Sequence, residues 1–233
     1  RNYYENWDFQ VVKTGDTLKL GKKTLTFIEA PIIHWPDSMF TYCREEELLM
    51  PNDAFGQHYA TSARFDDEVD QCELMEEAKK YYANILWPLS SMIARKLEEL
   101  QKMSLPINMI APSHGIIWRK DPMKIVNAYA GWAKNTIAPK VVMVYETMWG
   151  STEKMARKIA EGISDAGVDV KICDIAATDR TEVVTDMLDA KGFLIGSSTH
   201  DNDMLPTIAG FLEFLKGLKA KNRVAGVFGS FGW

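Results

Sequence analysis

The sequence predicts an α/β protein of two domains, in which a half that begins as a sheet and continues as helices precedes a doubly wound parallel sheet. Short strand-like runs fill the chain up to Met50, and a helical period takes over from about Asp66. Strand and helix patterns then alternate regularly after Pro139. Such alternation is typical of a parallel sheet with helices on both faces.

The first half begins with short runs in which polar and apolar residues alternate, and glycine-containing turns separate the early ones. This pattern favours β-strands with one buried face. The predicted strands are Phe9–Val12, Thr17–Leu20, Thr24–Ile28, Met39–Cys43 and Leu48–Met50.

Apolar residues then recur at helical spacing, first from Met75 to Leu86 and again from Leu89 to Leu100. Because Pro88 interrupts the pattern, we expect a helical hairpin or a kinked pair of helices. A short apolar run at Ile107–Ala111 follows, and a further helix is predicted at Pro122–Trp132.

A short polar, proline-bearing joint at Asn135–Pro139 separates the two halves and predicts domains at 1–138 and 139–233. Beyond the joint, the predicted strands are Lys140–Tyr145, Val168–Ile175, Gly192–Gly196 and Arg223–Phe228. The predicted helices between them are Ser151–Ala166, Glu182–Leu188 and Thr207–Leu218.

Composition excludes several classes of function. The 27 basic and 32 acidic residues are interspersed, so no basic stripe is available for a nucleic acid. No run of about 18 apolar residues and no signal pattern occurs, which excludes a membrane span and favours the cytoplasm. Cys43, Cys72 and Cys173 form no Cys-x-x-Cys pair, so we expect reduced core thiols. We also expect a longer parent protein, because the chain starts without Met and ends directly after a strand pattern.

The loop after the first strand of the second half carries the features of a phosphate site. Val141–Tyr145 is a buried-strand pattern that passes through Glu146–Thr152 directly into an amphipathic helix. Helix-start N–H groups, together with the hydroxyls of Thr147, Ser151 and Thr152, suit one phosphate. The loop matches neither G-x-G-x-x-G nor a P-loop, which disfavours dinucleotides and triphosphates. The alternative is that these hydroxyls serve only as helix caps and bind no phosphate.

Two later loops, Gly196–Asn202 and Gly229–Trp233, follow the next strands and belong to the same sheet edge. With the phosphate loop, of the Thr-x-x-Gly-Ser-Thr kind, they resemble the flavodoxin family. The resemblance implies non-covalent FMN, with the isoalloxazine ring between the two later loops and Trp149 and Trp233 as its aromatic contacts. The cofactor-binding residues implied are Thr147, Met148, Trp149, Gly150, Ser151, Thr152, Thr199, His200, Asp201, Asn202, Ser230, Phe231, Gly232 and Trp233.

Three candidate metal ligands lie in the first half, at His34, Asp53 and His114. Each follows a predicted strand, where side chains can converge on a rigid scaffold. Neutral imidazoles and a carboxylate suit iron, zinc or manganese. A lone histidine near a strand end is more often a hydrogen-bonded structural residue, so each candidate is weak by itself.

The context of these three residues resembles the second half of the metallo-β-lactamase-like domain of flavodiiron proteins. The strings His-Trp-Pro-Asp-Ser and Asn-Asp-Ala-Phe-Gly-Gln-His, at His34 and Asp53, are close to that family's own, and a flavodoxin domain follows in the family as it does here. The resemblance implies an αβ/βα sandwich, with Asp53 bridging two irons, His34 bound to one and His114 to the other. The family's other ligands, in an upstream His-x-Glu-x-Asp-His motif, are absent from this sequence, so we expect it to bind iron weakly or not at all by itself.

The resemblance further implies an FMN-dependent diiron reductase of dioxygen or nitric oxide. Rubredoxin, another flavoprotein domain or a reduced deazaflavin would donate the electrons, and a head-to-tail homodimer is implied. Of the other two histidines, His58 is expected to be structural or to support the ligands, and His200 to belong to a flavin loop. The alternatives are a zinc hydrolase of the lactamase-like fold with an accessory flavodoxin domain, and a plain flavodoxin-type electron carrier.

Overall fold

In the computed structural model, residues 7–231 are described, and they form two sheets with helices packed against them. The strands are β1 (Thr17–Leu20), β2 (Lys23–Glu29), β3 (Met39–Cys43), β4 (Leu48–Met50), β5 (Met109–Ile110), β6 (Ala138–Glu146), β7 (Asp169–Asp174), β8 (Ala190–His200), β9 (Asp203–Met204) and β10 (Val224–Ser230). The helices are α1 (Gln71–Tyr81), α2 (Ser90–Met103), α3 (Pro122–Ala133), α4 (Ser151–Asp165), α5 (Arg180–Met187) and α6 (Pro206–Leu218).

The first sheet has the order β1-β2-β3-β4-β5 and is antiparallel except where β5 pairs parallel to β4. Its buried side chains, among them Ile28, Phe40 and Leu49, meet apolar residues of the helices in one core. The helices of this half are too short to be stable in water by themselves. Burial of apolar side chains between the sheet and the helices is therefore the main stabilisation of the half.

Helical structure runs without a loop from α1 to α2. Asp70 begins it, because its carboxylate accepts the N–H groups of Cys72 and Glu73 at 2.9 Å. A π-helical turn at Tyr82–Leu86 and a 3-10 turn at Trp87–Leu89 join α1 to α2. Pro88 is accommodated because it lies in the first turn of a new segment, where its missing N–H costs little.

Two expectations for the first half are wrong. Residues 9–12 form no strand, and the side chain of Val11 is 78% exposed. The alternating pattern there marks no buried face, which is the feature that makes alternation informative. Cys72 is exposed at the start of α1, whereas Cys43 and Cys173 are buried as expected.

The second sheet has the order β7-β6-β8-β10 with all neighbours parallel, which confirms the doubly wound sheet. Its central strand β6 is buried on both faces. Val142 and Val144 join the large core that includes α5 and α6, whereas Met143 and Tyr145 pack with Ala156 of α4 on the opposite face. Helices therefore cover both sides.

The two halves pack against each other through α1 and α5. Lys79 pairs with Asp189 at 3.0 Å, and Lys80 pairs with Glu182. The Asn84 amide, in the π turn, donates to the Thr181 carbonyl oxygen at 3.1 Å. Because one apolar core continues beneath these polar contacts, the two halves are held in a defined relation.

Among residues 7–231, no helix has both the length and the apolar character needed to cross a bilayer.

Candidate functional site

The structure brings the three predicted metal ligands together at one edge of the first sheet. His34 lies in the loop after β2, Asp53 follows β4, and His114 follows β5. Asp53 Oδ2 is 3.2 Å from His34 Nε2, and Asp53 Oδ1 is 3.9 Å from His114 Nε2. One carboxylate thus presents a different oxygen to each imidazole, and all three side chains are half-buried.

Backbone and amide contacts hold the His114 ring. Its Nδ1 lies 3.1 Å from the Gln57 carbonyl oxygen, so a protonated Nδ1 donates there and leaves Nε2 free to face Asp53. The buried Gln57 side chain accepts from Ile116 N at 2.7 Å and donates to the Phe55 carbonyl oxygen at 2.9 Å. Gly115 has φ +79°, and a Cβ there would collide with Gln57, which explains the glycine.

Tyr81, at the end of α1, is within hydrogen-bonding distance of the His34 imidazole. Its hydroxyl oxygen is 3.3 Å from His34 Nε2. Burial, and secondarily the Asp53 charge, raises the pKa of Tyr81 well above its usual range, so the phenol keeps its proton. His58 packs against Tyr81 and His114, with ring centroids 5.0 and 5.3 Å away. His58 therefore lies beside the cluster, as the sequence predicted.

The donor set fits part of a two-cation site. Asp53 can offer one oxygen to each of two ions, and each ion then meets one imidazole. Among the described residues, no group of three or more His, Cys, Asp or Glu side chains is arranged to hold a metal ion. Two protein ligands per ion are too few to close a coordination shell, so each ion would need further ligands.

The predicted phosphate loop has the expected strand-loop-helix geometry. Gly150 adopts φ +79° immediately before α4, and its N–H donates to Thr147 Oγ1 at 3.0 Å. The Ser151 hydroxyl donates to Ser230 Oγ at 2.8 Å, which ties the loop to the end of β10. The first N–H groups of α4 have no partner within the helix, which makes this loop suitable for an anion.

A cluster of hydroxyl groups joins the three predicted flavin segments. Thr152 Oγ1 is buried and lies 2.9 Å from Ser198 Oγ on β8, and 3.3 Å from Ser230 Oγ on β10. Met148 N donates to Ser198 Oγ at 3.5 Å. Ser198 is therefore at the centre of the cluster, although the sequence pattern assigned it no role.

The second flavin segment differs from the sequence prediction. β8 continues to His200 instead of ending at Gly196, because β9 folds back on it with Thr199 opposite Met204. Asp201 and Asn202 make the tight turn with φ of 49° and 62°, a conformation that these two residue types tolerate. Thr199 and His200 thus lie on a strand rather than in a loop.

A cleft of about 210 Å³ lies between the three segments. Trp149 and Phe231 line it and are 83% and 78% exposed, so their aromatic faces are accessible to a ligand in the cleft. Gly232 and Trp233, which the sequence predicted as flavin contacts, lie outside the described residues. Among the described residues, those that line the cleft include no lysine or arginine, so N–H and hydroxyl groups would have to hold an anion there. Its other lining residues are Met148, Ser151, Ser198, Thr199 and Ser230.

Three residues at these sites had no role assigned from the sequence. Gln57 lies in the motif around Asp53, and Ser198 lies in the segment Gly196–Asn202. Their position next to predicted site residues is the sequence signal that could have identified them. Tyr81 is adjacent to Tyr82, and only the packing of α1 decides which of the two hydroxyls reaches His34.

Each half of the chain is similar to a known protein family. Residues 3–115 match the model described as ODP family beta lactamase, and residues 143–233 match the model described as Flavodoxin. A nitric oxide reductase of Moorella thermoacetica is 54% identical over 99% of this chain, which covers 58% of that protein. The anaerobic nitric oxide reductase flavorubredoxin of Aeromonas hydrophila is 47% identical over the whole chain, which covers 48% of it.

Solved structures agree in fold. Rubredoxin oxygen:oxidoreductase of Desulfovibrio gigas matches with a TM-score of 0.96 and 40% identity, over 100% of this chain and 58% of that one. The flavodiiron protein of Giardia intestinalis matches with a TM-score of 0.91 and 39% identity, over 96% of this chain and 55% of that one. The chain spans about half the length of these relatives. The chain thus carries a lactamase-like region followed by a flavodoxin region, and over nearly its whole length it is similar to a flavodiiron protein.

Proposed function

We propose that this chain is part of an FMN-dependent diiron enzyme that reduces nitric oxide to nitrous oxide, dioxygen to water, or both. The observation that carries the proposal is the Asp53 carboxylate, which divides its oxygens between His34 and His114 in a chain that also holds a hydroxyl-lined phosphate loop. Relatives named nitric oxide reductase and rubredoxin oxygen:oxidoreductase support both gases as substrates.

Different residues would bind the metal ions and the flavin. When bound, two iron ions and FMN would supply the redox chemistry, with electrons entering at the flavin and leaving to the gas. Asp53 would bridge the ions, and His34 and His114 would each bind one through Nε2. Tyr81 keeps its phenolic proton next to His34, so it can donate a hydrogen bond into the site but cannot act as a base at neutral pH.

The flavin would occupy the cleft at the end of the second sheet. The loop Thr147–Thr152 supplies hydroxyl and N–H donors to the phosphate, and Trp149 and Phe231 supply aromatic faces to the ring. The isoalloxazine ring would lie against the β8–β9 turn. Thr199 and Asn202, at this turn, line a second cavity that adjoins the cleft.

We further infer a domain boundary directly before β6, one residue earlier than the predicted break between residues 138 and 139, because Ala138 already belongs to that strand. α3 ends at Ala133, β6 begins at Ala138, and the two matched family regions end and start on either side of this joint. A cytoplasmic location is supported by three cysteines that are all free, since disulfides are rare in that compartment. The electron donor would be rubredoxin or a reduced deazaflavin, and the assembly a head-to-tail homodimer.

The two alternative functions receive less support. A zinc hydrolase or a plain electron carrier would use only one of the two halves, whereas the relatives at 54% and 47% identity carry both halves under redox names.

Stopped-flow reoxidation of the reduced full-length protein tests the proposal. His114→Ala should leave a flavin that the donor still reduces but that nitric oxide and dioxygen reoxidise slowly, because the route through the metal site is lost. Ser113→Ala is the matched control and should leave the rate unchanged, since the exposed Ser113 hydroxyl donates to Asn52 and not to a predicted metal ligand. Equal rates in wild type and His114→Ala would mean that the flavin reacts directly with the gas, and the diiron proposal would fail.

A further inference from the structure

A small apolar cavity lies directly behind the loops that carry His34 and Asp53. His34 itself contributes to its wall, as do the neighbouring residues Ile33 and Ala54. The remaining wall comes from β3, from the loop after β4, and from the helical segments packed against the sheet. These apolar lining residues are Phe40, Phe55, Leu86, Ile93, Leu97 and Tyr129.

The polar groups around this cavity are engaged with protein partners. The Tyr129 hydroxyl accepts from Phe55 N at 3.0 Å. Lys96 also lines the cavity, and its ammonium donates to the Glu29 carbonyl oxygen and to Glu99, both at 2.6 Å. His34 Nε2 faces Asp53. The cavity surface itself is therefore apolar, and such cavities stay dry and take small apolar guests.

The cavity is large enough for one small molecule. Its volume is about 20 Å³, and roughly 10–15 Å³ is enough for one water-sized guest. A guest here would touch His34, a predicted metal ligand, and Ala54, the chain neighbour of Asp53.

We infer that this cavity is a binding site for an apolar diatomic gas, placed so that dioxygen or nitric oxide accumulates beside the metal ligands before reacting. The inference rests on the proposed function, because it assumes that the site consumes such a gas. The chemistry matches: these gases are small, uncharged and apolar, so they gain from leaving water for an apolar cavity.

Xenon is the probe, because it is apolar, of similar size and visible in crystals. In crystals of the full-length protein under xenon pressure, a xenon atom should appear among Phe55, Ile93 and Leu97. Leu97→Phe should fill the cavity and remove that atom. Leu100→Phe is the matched control, because Leu100 is also half-buried on α2 but does not line the cavity. Iron and FMN contents should match wild type in both variants.

Kinetics then connect the cavity to turnover. The second-order rate constant for reoxidation by dioxygen or nitric oxide should fall several-fold in Leu97→Phe and stay at the wild-type value in Leu100→Phe. Leu97→Ala, which enlarges the cavity, should raise xenon occupancy and should not lower the rate constant. It also provides a second test if the larger side chain prevents folding.

Two results would overturn the inference: wild-type crystals without xenon at this position, or a Leu97→Phe protein that excludes xenon yet reacts with both gases at the wild-type rate. The proposed function fails differently. A wild-type protein that binds xenon here but consumes neither gas would refute the reductase and still support a gas-binding cavity.

Discussion

Asp53 illustrates how much depends on single side chains at this site. Its two oxygens point to imidazoles that lie on different loops, and neither imidazole has its Nε2 committed to a backbone group. A structural Asp would accept hydrogen bonds from backbone N–H groups or a cation, as Asp66 does from the N–H groups of Arg119 and Lys120. The contrast supports Asp53 as a ligand rather than a structural carboxylate.

Replacing Asp53 by Asn should keep the fold and the FMN but remove metal from the full-length protein, because an amide lacks the charge that draws two cations together. Loss of an orienting residue alone costs about 10–100-fold in metal affinity, and loss of a bridging ligand should cost more. Iron content per FMN is the measurement. Asp37→Asn, an exposed carboxylate close to His34 in sequence, is the control and should bind iron normally. Full iron content in Asp53→Asn would make Asp53 an ordinary polar residue.

At the scale of elements, both sites are built where strands end. β2, β4 and β5 deliver His34, Asp53 and His114 to one edge of the first sheet, and β6, β8 and β10 deliver the flavin segments to one edge of the second. Ends of neighbouring strands meet because sheet pairing aligns them, and loops on a rigid sheet can carry function without disturbing the core. The start of α4 adds helix-end N–H groups to the second site.

The start of α4 should therefore control FMN affinity. The double variant Ser151→Ala with Thr152→Val removes two hydroxyls, while valine keeps the shape of the buried threonine. A hydrogen bond to a charged group contributes roughly 1.5–3 kcal/mol, so loss of the Ser151 donor alone should lower FMN affinity at least tenfold. Fluorescence titration of the flavin-free full-length protein measures this. Ser164→Ala, exposed near the other end of α4, should bind FMN as wild type does. Unchanged affinity in the double variant would exclude this loop as the phosphate site.

At the scale of the whole molecule, the two halves share a core, and charged side chains link them across the α1–α5 contact. Asp189 pairs with Lys79 of the first half and Lys140 of the second, at 3.0 and 2.7 Å. Burial raises the pKa of the Asp189 carboxyl, but the two ammonium groups outweigh burial and hold the pKa below its usual range.

Asp189→Asn should lower stability in a pH-dependent way. Because the folded-state pKa lies below the unfolded value, the contribution is complete above the usual Asp pKa of about 3.9 and is lost as pH falls through the lower folded value. The loss at neutral pH should be about 1 kcal/mol or less, since the carboxylate is partly exposed to solvent. Urea midpoints of wild type and variant should differ at pH 7, begin to approach each other near pH 4, and converge only below the folded-state pKa of Asp189. Asp165→Asn, exposed at the end of α4, should show no such convergence.

The sequence by itself determined the order and type of most elements. β1, β3 and β4 have the bounds that alternation predicts, and the helix of the phosphate loop begins at Ser151 as expected. Local patterns suffice here because period and turn chemistry are properties of neighbouring residues. The motif strings also located the metal and flavin candidates.

Local pattern was insufficient where a partner decides the outcome. Residues 9–12 alternate like a strand without forming one, and β8 extends beyond Gly196 because β9 pairs with its end. The sequence could not tell whether Tyr81 or Tyr82 reaches His34, nor that Ser198 links Thr152 to Ser230. Only the tertiary structure decided these points. The side-chain contacts join residues dozens of positions apart, and their distances depend on how sheets and helices pack.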